Sequence, residues 1–345
     1  MKILISLLFL TSLAAEAYGA DAFEVVGRAD GLLPEEAFGG ARGAAMGYAD
    51  LIDDEAGGAW SNPGALVEAG RRVIVGGAMT RAYHDDDADL FVVDLSVVEG
   101  PFRVSVAGRR LNETIAIRTA FEPEATRYEI EREAYGAGLA ADLMHWIARE
   151  SAIDWTLGLN VRRQTDSRFV DDPNATALDL GSAVAWNGDD DRVLRRIAFG
   201  ASLWNVNSAE FTSEGGTRRR LGRAFRAGAS VSLASTHRSR GHTTLAGSLV
   251  AALTRPIDDD DATALHVGAE VVVQDALVFR LGHHDLLDLD AFAAGVGVRF
   301  VPSPGLRIEV DATWEDWGET TFANDPVATW IFGAHVERAF GSAGD

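Results

Sequence analysis

The chain has 345 residues, 47% of them hydrophobic, with 36 glycines, no cysteine, and 52 acidic against 31 basic residues for a formal net charge of −21. That balance excludes a disordered chain, a disulfide scaffold and any thiolate metal site or cysteine nucleophile. Strong acidity without a basic tract also argues against nucleic acid as a partner.

Residues 1–20 open with Lys2, continue through the apolar run Ile3 to Leu10, and end in small residues with Ala17 and Ala20 as competing cleavage positions. This order of charge, apolar core and small residues reads as a secretory signal peptide. The mature chain is therefore expected to work outside the cytoplasm. No later apolar run reaches the ~18 residues of a membrane-spanning helix. Residues 21–70 show no two-residue alternation and contain small-residue and Asn-Pro stretches. They are expected to form a compact element that is too small to be stable alone and packs inside or beneath the following sheet.

From residue 71 onward apolar residues alternate with polar or small ones, which places them on opposite faces of strands. Leu306, Ile308, Val310, Ala312 and Trp314 interleave with Arg307, Glu309, Asp311, Thr313 and Glu315. Strands are expected near 71–83, 88–98, 102–118, 126–142, 153–164, 175–186, 195–206, 221–235, 242–254, 263–273, 276–284, 289–300, 306–317 and 328–340, fourteen in all. A break near Asn112 would make fifteen, a number that single-chain bacterial barrels disfavour. Residues 341–345 form a short tail.

Alternation alone does not separate a soluble β-sandwich from a membrane barrel. Three features favour the barrel. Many strands reach 11 or more residues, long enough for a tilted membrane strand. Trp155, Phe102, Trp314, Trp330 and Phe340 fall near the ends of apolar faces, where interfacial girdles sit. The opposite faces carry Arg103, Arg109, Glu129, Glu131, Arg162, Arg226, Glu270, Arg280, Arg299, Glu309 and Glu337, too much charge for a dry core. These groups are expected to line a hydrated or plugged lumen. The longer loops, among them 207–220 and 318–327, lie on one side and the short turns on the other, with 143–152 the exception.

Within the N-terminal element, Ala41-Arg42, Ala45-Met46-Gly47, Asp53-Asp54, Trp60 and Asn62-Pro63, closed by Leu66, follow a recognisable order. In this order the chain resembles the PorV/PorQ group of outer-membrane barrels, related to the FadL long-chain fatty acid transporters. It departs at Tyr48, where a second glycine is usual, and at Gly64-Ala65, where the order is inverted. The resemblance implies an all-β, 14-stranded antiparallel barrel in the outer membrane of a Gram-negative-type bacterium, with residues 21–70 as a hatch. Arg42, Met46, Gly47, Asp53, Asp54, Trp60, Asn62 and Pro63 are the hatch motif.

Catalysis and metal binding are not expected. His283 and His284 are adjacent on a strand and point to opposite faces, and His266 and His335 suit a polar lining better than a converging ligand set. The acidic runs at 85–87, 189–191 and 258–261 lack the spacing of a calcium loop and read as solvated turns. No motif ties a serine to a base, so the chain reads as a non-enzyme without cofactors. Two functions remain open. One is passage of a hydrophobic, fatty-acid-like molecule through a hatch-plugged barrel; the other is a non-transporting barrel whose long loops bind a secreted or surface protein, as in type IX secretion. Either would have membrane lipid as its surroundings.

Overall fold

The computed structural model describes residues 41–46, 48–49, 51–52, 58–67, 70–82, 88–119, 122–148, 151–166, 174–188, 193–212, 218–234, 238–239, 242–243, 245–257, 263–286, 289–316 and 328–340. The signal-peptide reading of residues 1–20, and Gly47, Asp53 and Asp54 of the motif, lie outside them. Fourteen strands close into one antiparallel barrel. They are β1 (Gly70–Ala82), β2 (Ala88–Gly100), β3 (Phe102–Thr119), β4 (Glu122–Asp142), β5 (Ile153–Asp166), β6 (Asn174–Asn187) and β7 (Leu194–Trp204). The second half comprises β8 (Ala224–Ala234), β9 (Leu245–Pro256), β10 (Ala264–Val273), β11 (Leu277–Leu286), β12 (Leu289–Ser303), β13 (Leu306–Asp316) and β14 (Ala328–Ala339).

Each strand pairs with its sequence neighbours, and β1 pairs with β14 from Arg72 opposite Ala339 to Ala82 opposite Thr329. Closure removes the unpaired edges that an open sheet would present. The stretch around Asn112 is continuous within β3. Alternation was sufficient to find every barrel strand because each has one face in lipid and one in the lumen. Two short ladders escaped it, Glu210–Thr212 with Arg218–Arg220 and Arg238–Ser239 with His242–Thr243. Segments of two or three residues are too short to show a period.

The burial pattern is the inverse of a soluble protein's. Phe279 is 49% exposed and Leu249 59%, while Arg103 is 2% and Glu309 1% exposed. Val310 faces outward at 50% exposure while Glu309, its neighbour, faces the interior. An apolar exterior around a charged interior is stable only where the exterior meets lipid. Trp155, Phe102 and Phe340 lie at one rim and Trp330 at the other, all exposed, in the positions of interfacial girdles.

At one end the connections are mostly tight. Gly100 and Gly305 turn with φ of +60° and +74°. Gln274 and Asp275 both have φ of +54° in the three-residue turn 274–276 from β10 to β11, which Ala276 N closes by donating to the Val273 carbonyl at 3.1 Å. Two connections at this end are longer: β4 to β5, which holds the single-turn helix Met144–Ile147 with Trp146 against Phe102 at 5.4 Å between ring centroids, and β8 to β9, which holds the ladder of Arg238–Ser239 with His242–Thr243.

Candidate functional site

The described part of the N-terminal segment lies within the barrel. It begins with α1 (Ala41–Ala45) and continues to α2 (Gly58–Ser61) and the turn that follows. α1 presents small side chains because it lies almost on the wall: a Cβ added to Gly295 would stand 2.7 Å from Ala45 Cβ, and one added to Gly333 2.8 Å from Ala41 Cβ. Thr313 Oγ1 donates to the Ala41 carbonyl at 2.8 Å. Met46 is buried, and its carbonyl rests on Gly268.

Tyr48 has φ of +58°, a conformation that glycine adopts without cost and other residues rarely do. That accounts for the glycine usual at this place in the resembling pattern. Here the ring compensates: the hydroxyl donates to Glu315 at 3.2 Å, the ring packs edge-on to His284 at 5.0 Å, and the carbonyl accepts from Arg226 at 2.7 Å.

The Asn62-Pro63 turn is the second anchor. Asn62 Nδ2 donates to the Leu51 carbonyl at 2.8 Å and to the Ser182 carbonyl of β6 at 3.2 Å, while its Oδ1 accepts from Gly64 N at 2.9 Å. One amide thus joins two limbs of the segment to each other and to the wall. The backbone at 62–64 touches the strand backbone itself. A Cβ on Gly181 would lie 1.9 Å from Asn62 Oδ1, and a Cβ on Gly158 2.0 Å from the Pro63 carbonyl oxygen. Only glycine permits that approach. Arg103 donates to the Pro63 carbonyl at 3.0 Å, and Ser202 and Trp204 both donate to the Ser61 carbonyl at 3.1 Å.

Trp60 enters a ladder of guanidiniums and indoles. Arg109 lies 4.4 Å and Arg162 5.5 Å from its ring centroid; Arg162 and Arg226 lie 5.4 Å and 5.2 Å from that of Trp204. Asp179 holds Arg162 from the far side with Nη2 to Oδ1 at 2.9 Å. Arg162 and Arg226 are thereby each shared between an indole face and a carboxylate or carbonyl.

On the opposite wall Arg280 carries a second network. Its side chain is fully buried and meets Glu270 at 2.6 Å, together with Glu309 and Asp311. It reaches across β12 because Gly297 is bare: a Cβ there would stand 2.2 Å from Asp311 Oδ1. Glu309 also binds Arg299 at 2.8 Å, and Glu270 binds Arg42 of α1 at 3.0 Å. Glu337 sits nearby with Arg72 at 3.2 Å. Nine of the eleven expected lining charges therefore face the interior: Arg103, Arg109, Arg162, Arg226, Glu270, Arg280, Arg299, Glu309 and Glu337.

Glu131 is a correction. It pairs in register with Asn112, on the face that Tyr135 and Leu139 turn outward, and meets Arg110 at 2.8 Å where both are about half exposed. β3 and β4, at 18 and 21 residues, are the barrel's longest strands, and past the apolar belt an outward face meets water and tolerates charge. The Glu129 side chain lies outside the described residues. The alternation set Asp311 on the charged face of its strand, where it is buried, but gave no sign of Asp179, Trp204 or the role of the wall glycines. His266 is buried beside Thr254 at 3.1 Å, and His284 bonds Glu315 at 3.0 Å. Among the described residues no cluster of three metal-ligating side chains occurs.

No protein-family model matches the chain, and no characterised protein sequence does. Solved structures do. A deltaS2S3 mutant of the monoaromatic hydrocarbon channel TodX superimposes with a TM-score of 0.52 at 12% identity, covering 87% of this chain and 99% of that one. The monoaromatic hydrocarbon channel CymD gives 0.51 at 8% identity, covering 89% and 99%. The deltaS2 mutant of TodX gives 0.50 at 11% identity, covering 89% and 100%. The chain shares their barrel fold. At these identities the likeness is one of architecture.

Proposed function

We propose that this chain is an outer-membrane channel for hydrophobic small molecules, with residues 21–70 as its hatch and the turn end toward the periplasm. The observation that carries this reading is a lipid-facing barrel whose lumen holds a separate chain segment by discrete polar contacts, in a fold shared with channels for monoaromatic hydrocarbons. A segment fixed by a few carbonyl, amide and ion-pair anchors can shift as a unit, because each anchor contributes only about 1–3 kcal/mol. Outer-membrane residence follows from the same fold, and a signal peptide at residues 1–20 would deliver it there.

The experiment is uptake of a radiolabelled hydrophobic compound into liposomes carrying either the whole protein or one lacking residues 41–67. Faster uptake without the segment supports the channel; equal and negligible uptake in both defeats it.

One observation favours a second reading, the non-transporting barrel of PorV/PorQ type that binds a secreted protein. The Arg280 network closes one side of the lumen with ion pairs. Of the two loops that would receive such a partner, 207–220 has Ala209 and Phe211 buried with the following Leu221 against Ala175 and Ala177, its residues 213–217 and the loop 318–327 lying outside the described residues.

A further inference from the structure

At the turn end, between α1 and the wall, lies a cavity of about 450 Å³. Six arginines line it, Arg42, Arg72, Arg195, Arg196, Arg299 and Arg307, against two carboxylates, Glu270 and Glu337. Both carboxylates are already engaged, Glu270 by Arg42 and Arg280, Glu337 by Arg72 and Arg307. Among the described residues, counting Arg280, Glu309 and Asp311 behind the lining still leaves more arginines than carboxylates. In a chain of charge −21 this is a local reversal of sign.

Two consecutive arginines reach the cavity because the β7 to β8 register slips there: Arg196 faces Ser232, but Leu194 faces Leu233. A bulge of this kind turns a side chain that regular pleating would send to the other face. Beside it, Arg196 Nε and Ser248 Oγ are shielded from solvent, belong to residues that line the cavity and have no hydrogen-bond partner among the described residues. Buried donors without acceptors, amid surplus positive charge, cost stability unless an anion supplies both.

We propose that this cavity binds a phosphate-type oxyanion, either free phosphate or the phosphate of a lipid headgroup. Planar guanidinium forks match an oxyanion's lone pairs two at a time, and several converging arginines suit a multiply charged group. The volume admits the anion with a small attached group. This inference does not depend on transport.

The test is calorimetric titration of the full-length protein in detergent with sodium phosphate, with dihexanoyl phosphatidic acid, and with acetate at matched ionic strength. Saturable binding of phosphate and phosphatidic acid, weakened about tenfold in Arg196→Gln and less in Ser248→Ala, is the expected result. Binding of phosphatidic acid alone, with the same sensitivity to Arg196→Gln, assigns the site to lipid headgroups. Acetate binding as tight as phosphate, no binding of either phosphate probe, or affinities unchanged in both variants overturns the proposal. Gel mobility before and after heating confirms that each variant still forms the barrel.

Discussion

Asn62 concentrates the seating of the N-terminal segment in one side chain, with two donated bonds and one accepted. Replacing it with alanine leaves the Leu51 and Ser182 carbonyls without these donors, an expected cost of about 1–3 kcal/mol. Thermal unfolding in detergent measures the loss, and faster proteolysis within residues 41–67 shows where it falls. Gly181→Ala is expected to act at the same place by collision, since its Cβ would sit 1.9 Å from Asn62 Oδ1. Expulsion of the segment without loss of the barrel is the expected outcome, read by the same proteolysis with heat-modifiable mobility retained. The Asn-Pro turn was legible because proline restricts the residue before it. The cradle beneath it was not: a glycine on a polar strand face reads the same whether it lines water or receives another backbone.

Among the barrel's elements, the two buried networks differ in kind from the pairs on the β3 to β4 extension. Arg280→Ala would leave Glu270, Glu309 and Asp311 facing one another across an empty volume, and is expected to cost about 3–5 kcal/mol. Glu131→Ala breaks an ion pair that is half exposed, with an expected effect under about 1 kcal/mol. Urea unfolding of both variants in the same lipid checks the contrast; equal effects would mean that the Arg280 network is as solvated as the outer pair. The sequence shows Arg280 and Glu131 as equivalent charges on alternating strands. What separates them is parity with Tyr135 and Leu139, which put Glu131 on the outward side. The tryptophan ladder was hidden for another reason, since Trp60, Arg109, Arg162, Trp204 and Arg226 come from five separate stretches of chain.

At the scale of the whole molecule, lipid is the missing half of the fold's energetics. Leu249 lies near the middle of β9 at 59% exposure, and Leu249→Arg is expected to destabilise the barrel by about 2–4 kcal/mol in a bilayer. Equilibrium folding into vesicles measures it. An effect near zero would remove Leu249 from the lipid belt. The number of strands, their order and the sidedness of turns and loops were legible because each strand repeats one physical contrast between oil and water. The tilt that brings Arg42 to Glu270, 228 residues away, has no local signature.

The seam between β1 and β14 joins strands that meet late in the chain, and Phe340 N still donates to the Arg71 carbonyl at 2.8 Å beyond the paired run. The segment touching β10 to β14 and β3 to β6 is tethered to the first of those two strands. Once that zipper fastens, the tether is trapped like a cork tied to its own bottle. Assembly must therefore either wrap the wall around the segment or thread it in afterwards through the mouth where its tether enters.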